Sequence, residues 1–180
     1  MGESREVLLN RIIDGVANDG LVDRSLRELA ASAGTSHRML IYHFGSREGV
    51  VSAIVEEVER RQRLMMVDLA AECPDAPTLI RRLWDQVSSM ELRPFVRLFF
   101  ESLASTSRGE AQRDMTKAWI SDGADAASLL GQEVDSVMLR LGTAVTRGLL
   151  IDVVSTGDVD SASQALDRFI EMWEHRGMSS

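Results

Sequence analysis

The stretch Ser25–Gly49, SLRELAASAGTSHRMLIYHFGSREG, decides how the rest of this chain is read. Ser25 with Glu28 three positions on is the signature of a capping box that opens a helix. Leu26, Leu29, Ala30 and Ala33 recur at helical spacing, and Gly34 supplies the left-handed backbone of a sharp helix end. Ser36 is placed to cap a second helix, on which Leu40 and Phe44 form an i, i+4 pair turned toward the first. The small Ala30 lets the two helices cross closely, and the whole reads as a helix-turn-helix.

That packing puts Thr35, Ser36, His37, Arg38, Tyr42 and His43 on the outer side, which is the inventory of a major-groove reader. Near the start of a recognition helix Arg38 can donate bidentately to guanine, while His, Ser and Thr reach bases or phosphates. Tyr42 and His43 are expected against the sugar-phosphate backbone, and Ser25 joins the same set at the start of the first helix. In HFGSREG, Gly45 ends one helix and Ser46 starts another, so Arg47 and the first backbone amides present positive charge to a phosphate. His37 and His43 do not stack on one helical face, and no Cys or acidic pair stands near at ligand spacing, so no metal site is expected.

Taken together, these residues resemble the DNA-binding segment of the tetracycline-repressor (TetR) family of transcriptional regulators. Its members read as a short helix, a glycine turn, a recognition helix ending in an aromatic-aromatic-His-Phe run, then Ser-Lys/Arg-Glu opening a long helix. Here the run is Ile41-Tyr42-His43-Phe44, followed by Ser46-Arg47-Glu48. Three positions depart from the pattern: Ile41 replaces a usual Tyr, Arg38 a frequently small residue, and Gly49 a large apolar one. The motif covers about the first quarter of the chain. The resemblance implies an all-α protein with a three-helix DNA-binding domain at residues 1–47, joined by a long helix to a helical ligand-binding and dimerisation domain at 48–180. It also implies a ligand-responsive regulator, most simply a repressor, that holds a palindromic operator as a homodimer.

Composition bounds the alternatives. The chain has 180 residues, enough to bury a real core in one large or two small domains. No 18-residue apolar run and no signal peptide are seen in the sequence, which predicts a soluble, cytoplasmic protein without a membrane partner. The single cysteine, Cys73, excludes an internal disulfide and is expected to be inert in a loop. A net charge of −8 argues at first against a nucleic-acid partner. Residues 1–50, however, carry six Arg against seven Asp plus Glu, a balance of −1, so −7 lies downstream. Binding through a few Arg contacts follows, not a broad basic surface.

Before the motif, Glu3 to Asn18 repeats Val7, Leu8, Ile12, Ile13 and Val16 as a helical stripe closed by Asp19-Gly20. After it, a long helix from Ser46 carries Val50, Ile54, Val58, Leu64 and Leu69, with Glu56 to Arg63 as a solvated face, until the Cys73–Pro77 segment breaks it. Further helices bear Leu79, Leu83, Trp84 and Val87, then Phe95, Leu98, Phe99, Phe100 and Leu103 after Pro94. A loop is expected from Ser105 to Gly109, then Met115, Ala118, Trp119 and Ile120, with a bend at Gly123. Asp135 to Thr156 leaves few polar positions anywhere around the helix, which predicts burial by a second subunit. With the last helix it supplies the expected dimer residues Leu141, Val145, Gly148, Leu149, Phe169 and Trp173.

Trp84, Met90, Phe95, Phe99, Met115, Trp119 and Met138 are candidates to line a cavity for a small, mainly hydrophobic effector. No cofactor is called for. Nothing matches G-x-S-x-G, HExxH, Walker A or paired CxxC, so an enzyme is not expected. The remaining alternative is a helical protein-interaction module or corepressor with a degenerate helix-turn-helix.

Overall fold

The computed structural model describes residues 4–19, 25–105 and 110–177, and all regular structure in them is helical. Nine helices follow in order among these residues: α1 (Arg5–Asp19), α2 (Leu26–Ser32), α3 (His37–Phe44), α4 (Arg47–Ala70), α5 (Ala76–Val87), α6 (Arg93–Ser105), α7 (Glu110–Leu129), α8 (Ser136–Thr156) and α9 (Val159–Gly177). The expected helix stop at Gly20 and the central part of the loop after Ser105 lie outside the described residues.

By internal contacts the chain forms two compact units: Met1–Arg60 with Glu91–Arg108, and Arg61–Met90 with Gly109–Ser180. The division falls inside α4, and α6 belongs with the N-terminal helices. In the first unit α1 packs on α2 and α6, and α2 on α3. Its buried residues include Leu8, Ile12, Val16, Leu29, Leu40, Val50, Ile54 and Leu98, which are the i, i+3 and i+4 positions of their helices. Val7 is not part of the stripe; it is 52% exposed, one step round the helix from Leu8.

The second unit has two apolar clusters. Trp84, Val87, Val153, Ala162, Leu166 and Ile170 join α5, α8 and α9. Met66, Ala70, Cys73, Leu79 and Ala126 join α4, α5 and α7, with Trp119 packed against them. Cys73 is therefore a buried, small apolar residue in a turn. Several expectations fail here for local reasons. Asp75 caps α5 and Pro77 lies within its first turn, where a missing amide costs nothing, so only the residues before it break the chain. Gly123 does not interrupt α7, which continues through it, and a Cβ there would stand 3.3 Å from Leu139 Cδ2 of α8. Arg63 is not solvated, because its Nε donates to Asp122 Oδ2 at 2.8 Å with only 15% of its side chain exposed. Leu64 is exposed.

Candidate nucleic-acid interface

The reader is built by its caps. Ser25 Oγ accepts from the Glu28 amide at 3.3 Å and Glu28 Oε2 accepts from the Ser25 amide at 2.7 Å, a complete capping box. The far end of α2 closes as a Schellman motif: Gly34 (φ +61°) donates to the Ala31 carbonyl at 3.1 Å and Thr35 to the Ala30 carbonyl at 2.8 Å. Ser36 then caps α3, its Oγ accepting from the Met39 amide at 3.2 Å. Four residues, Ala33 to Ser36, thus turn the chain sharply from one helix into the next. Ala30, Ala33 and Leu40 are buried between the helices.

On the outer side, Ser36, His37 and Arg38 are exposed, Tyr42 is 78% exposed, and Thr35 is half-buried by the turn it closes. Ser25 is exposed, but its hydroxyl is engaged with Glu28. His43 departs from the expected outward placement. It is half-buried, its Nε2 is buried without a hydrogen-bond partner, and its ring lies edge-on to Tyr42 at 5.0 Å. Position 43 lies about 100° round the helix from Tyr42, which turns it toward the unit's interior. Arg47 is half-buried at the start of α4 and has interactions of its own.

The joint after α3 is tighter than its sequence suggests. Gly45 (φ 78°, ψ −52°) is the centre of a γ-turn in which the Ser46 amide donates to the Phe44 carbonyl at 2.9 Å. Ser46 Oγ accepts from the Gly49 amide at 3.1 Å, capping α4. A Cβ on Gly49 would stand 1.9 Å from the same Phe44 carbonyl oxygen. Gly49 is therefore the residue that admits this close approach of α3's end to α4's first turn, which explains its departure from the family pattern. Glu48 is held below its ordinary carboxylate range by a backbone hydrogen bond at the helix start and then by Ser46.

The apolar candidates for an effector cavity are divided between the two units. Phe95 and Phe99, both 6% exposed, belong to the first unit. Trp84 is core, its indole Nε1 donating to Ser163 Oγ at 2.7 Å, whereas Trp119 packs on the other cluster and Met90 is 71% exposed. Met115 and Met138 are half-buried in the second unit. Sequence reasoning missed the polar groups of that unit: Gln62 Oε1 is buried without a hydrogen-bond partner, and Arg147 Nη1 donates to Thr116 Oγ1 at 3.1 Å. Of the dimer candidates, Leu141 and Gly148 are exposed and Val145 is half-buried. Leu149 and Phe169 pack on their own chain's core, and Trp173 lies on Gly142, 2.9 Å from where a Cβ would be. Among the described residues no group of His, Cys, Asp or Glu could hold a metal ion, and no helix is long and apolar enough to cross a membrane.

No protein-family model matches this chain, and no curated protein sequence does. Solved structures do. A Rhodococcus sp. protein assigned to the TetR family of transcriptional regulators is 24% identical, with a TM-score of 0.69 over 93% of this chain and 96% of that one. A TetR-family regulator from Pectobacterium atrosepticum is 17% identical, with a TM-score of 0.73 over 94% and 91%. SmeT, the repressor of the Stenotrophomonas maltophilia multidrug efflux pump SmeDEF, is 20% identical, with a TM-score of 0.64 over 94% and 90%. The chain therefore has, over nearly its whole length, the all-α fold of TetR-family transcriptional regulators.

Proposed function

We propose that this protein is a cytoplasmic DNA-binding transcriptional regulator, a repressor that holds a palindromic operator as a homodimer and is released by a small effector. The observation that carries this reading is the helix-turn-helix, whose second helix and its N-cap present exposed Ser36, His37, Arg38 and Tyr42. Ser25 and Thr35 support that surface as cap and turn, Arg47 as a phosphate-side group, and His43 through its edge-on contact with Tyr42. Arg38 reads bases; the others position the helix.

The second half of the reading is support for a pair. On α8, Val137, Leu141, Ala144, Gly148 and Ile151 are exposed and fall on one stripe, and nothing lies within 4 Å of where a Gly148 Cβ would be. A second copy covering that stripe would make a two-fold dimer, and an inverted repeat asks such a dimer to present its recognition helices about 34 Å apart, one duplex turn. We assign residues 1–47 to reading and 48–180 to regulation and pairing, with α4 contributing to both compact units as the covalent route between them. An effector bound in the second unit acts only through different affinity for two states; moving the balance from 1:99 to 99:1 takes roughly 5.5 kcal/mol of preference. Met115, Trp119 and Met138 supply apolar surface for it.

Sequencing duplexes enriched from a random pool by the purified protein tests the proposal. An inverted repeat is the expected result. Enrichment of nothing at moderate salt favours the alternative, an interaction module with a degenerate reader.

A further inference from the structure

We infer that Arg5, at the start of α1, is a phosphate contact of the same DNA-reading surface, held in place by the Phe44 ring. The inference rests on the DNA-binding reading above. The Arg5 guanidinium carbon lies 5.1 Å from the centroid of the Phe44 ring. Phe44 is the last residue of α3, two positions after Tyr42, and the first residue of the γ-turn that leads into α4. Arg5 therefore stands beside the end of the recognition helix.

The arginines of residues 1–50 are not equivalent. Arg24 lies outside the described residues, and Arg11 and Arg47 have interactions of their own. Arg5, Arg27 and Arg38 are exposed, and none of the three has a carboxylate partner among the described residues. Arg5 alone of these is fixed by an aromatic ring. Stacking restrains a long side chain by its flat face and leaves the N–H donors around its edge for a bidentate acceptor. A phosphate is that acceptor. Since the reader carries no net positive charge, each uncommitted guanidinium on this surface supplies a large share of counterion release.

The test compares wild type, Arg5→Gln and Arg5→Lys on duplexes enriched by the wild type, between about 50 and 200 mM salt. Arg5→Gln is expected to make the plot of log affinity against log salt shallower by about one per reading head. It should weaken binding about five- to tenfold at the low-salt end and leave the base preference and the melting temperature as they were. Arg5→Lys should restore the slope. An unchanged slope in Arg5→Gln, a changed base preference, or failure of Lys to restore overturns the inference while DNA binding by the wild type stands. A wild type that enriches no duplex sinks the DNA-reading proposal itself, and this inference with it.

Discussion

Phe44 and Gly49 meet through a single carbonyl oxygen, and the consequences are specific. In an ordinary helix Gly→Ala gains about 1 kcal/mol. At position 49 the added methyl carbon would overlap the Phe44 carbonyl at 1.9 Å, so the backbone on one side must move. Gly49→Ala is expected to lose about 1–3 kcal/mol of stability, the range of overpacked sites, measured by chemical denaturation. Its DNA affinity should fall further than stability alone explains, because α3 is displaced. A gain in stability would show that the joint is slack. Arg38→Ala, at an exposed site with no packing role, should instead leave the denaturation midpoint unchanged. Its expected effect is a loss of about 1–3 kcal/mol of DNA binding and relaxed base preference at one position, read by gel shift on enriched duplexes. These two sites also mark what the sequence tells at this scale. Caps and turn residues were legible: Ser25, Gly34, Ser36 and Gly45 each act where their chemistry requires. The reason for Gly49 was not, because it lies in where a carbonyl points after a γ-turn. Arg5 was missed for a related cause, since its partner Phe44 comes nearly forty residues later.

At the scale of the helices, the caps carry a pH dependence. Asp75, capping α5, is held below its ordinary range by the Thr78 side chain and then by its amide. Asp158, ahead of α9, is held low by the Ser161 hydroxyl and then its amide. In each case the folded state prefers the ionised carboxylate. That stabilisation is present above the ordinary aspartate value of about 4 and is lost as pH falls through the lower folded-state value. The melting temperature should therefore drop on acidification below about pH 4. An Asp75→Asn, Asp158→Asn double variant, which keeps the caps but cannot titrate there, should drop less; equal drops would assign the acid sensitivity elsewhere. Core elements respond differently. Leu166 is 2% exposed between α5, α8 and α9, and Leu166→Ala should cost about 2–5 kcal/mol. Apolar periodicity revealed these helices and most buried positions. It could not tell an interruption from an accommodation: Pro77 begins a helix, and Gly123 lets Leu139 approach.

For the molecule as a whole, the apolar stripe on α8 makes the strongest prediction. A Leu141→Arg, Ile151→Glu double variant places charges at positions 42% and 49% exposed in the single chain, so its fold should survive. Sedimentation is expected to show monomers, and affinity for an inverted repeat should collapse toward that of a half-site. A variant that stays dimeric would move the contact off this face. The sequence made α8 conspicuous as apolar on all sides, yet it could not say which residues serve the chain's own core. Leu149 and Phe169 do, while Leu141 and Gly148 are open. The same ambiguity holds for the cavity candidates, since an aromatic at helical spacing looks alike whichever unit it packs in, as Phe95 and Trp119 demonstrate.

The indole of Trp173 resting on the bare backbone of Gly142 offers an optical handle on this half of the protein. With Trp84 and Trp119 each replaced by Phe, the remaining emission would come from a ring wedged between α8 and α9. Its colour and quenching would then follow any sliding of those two helices as effector or partner binds, without an added dye.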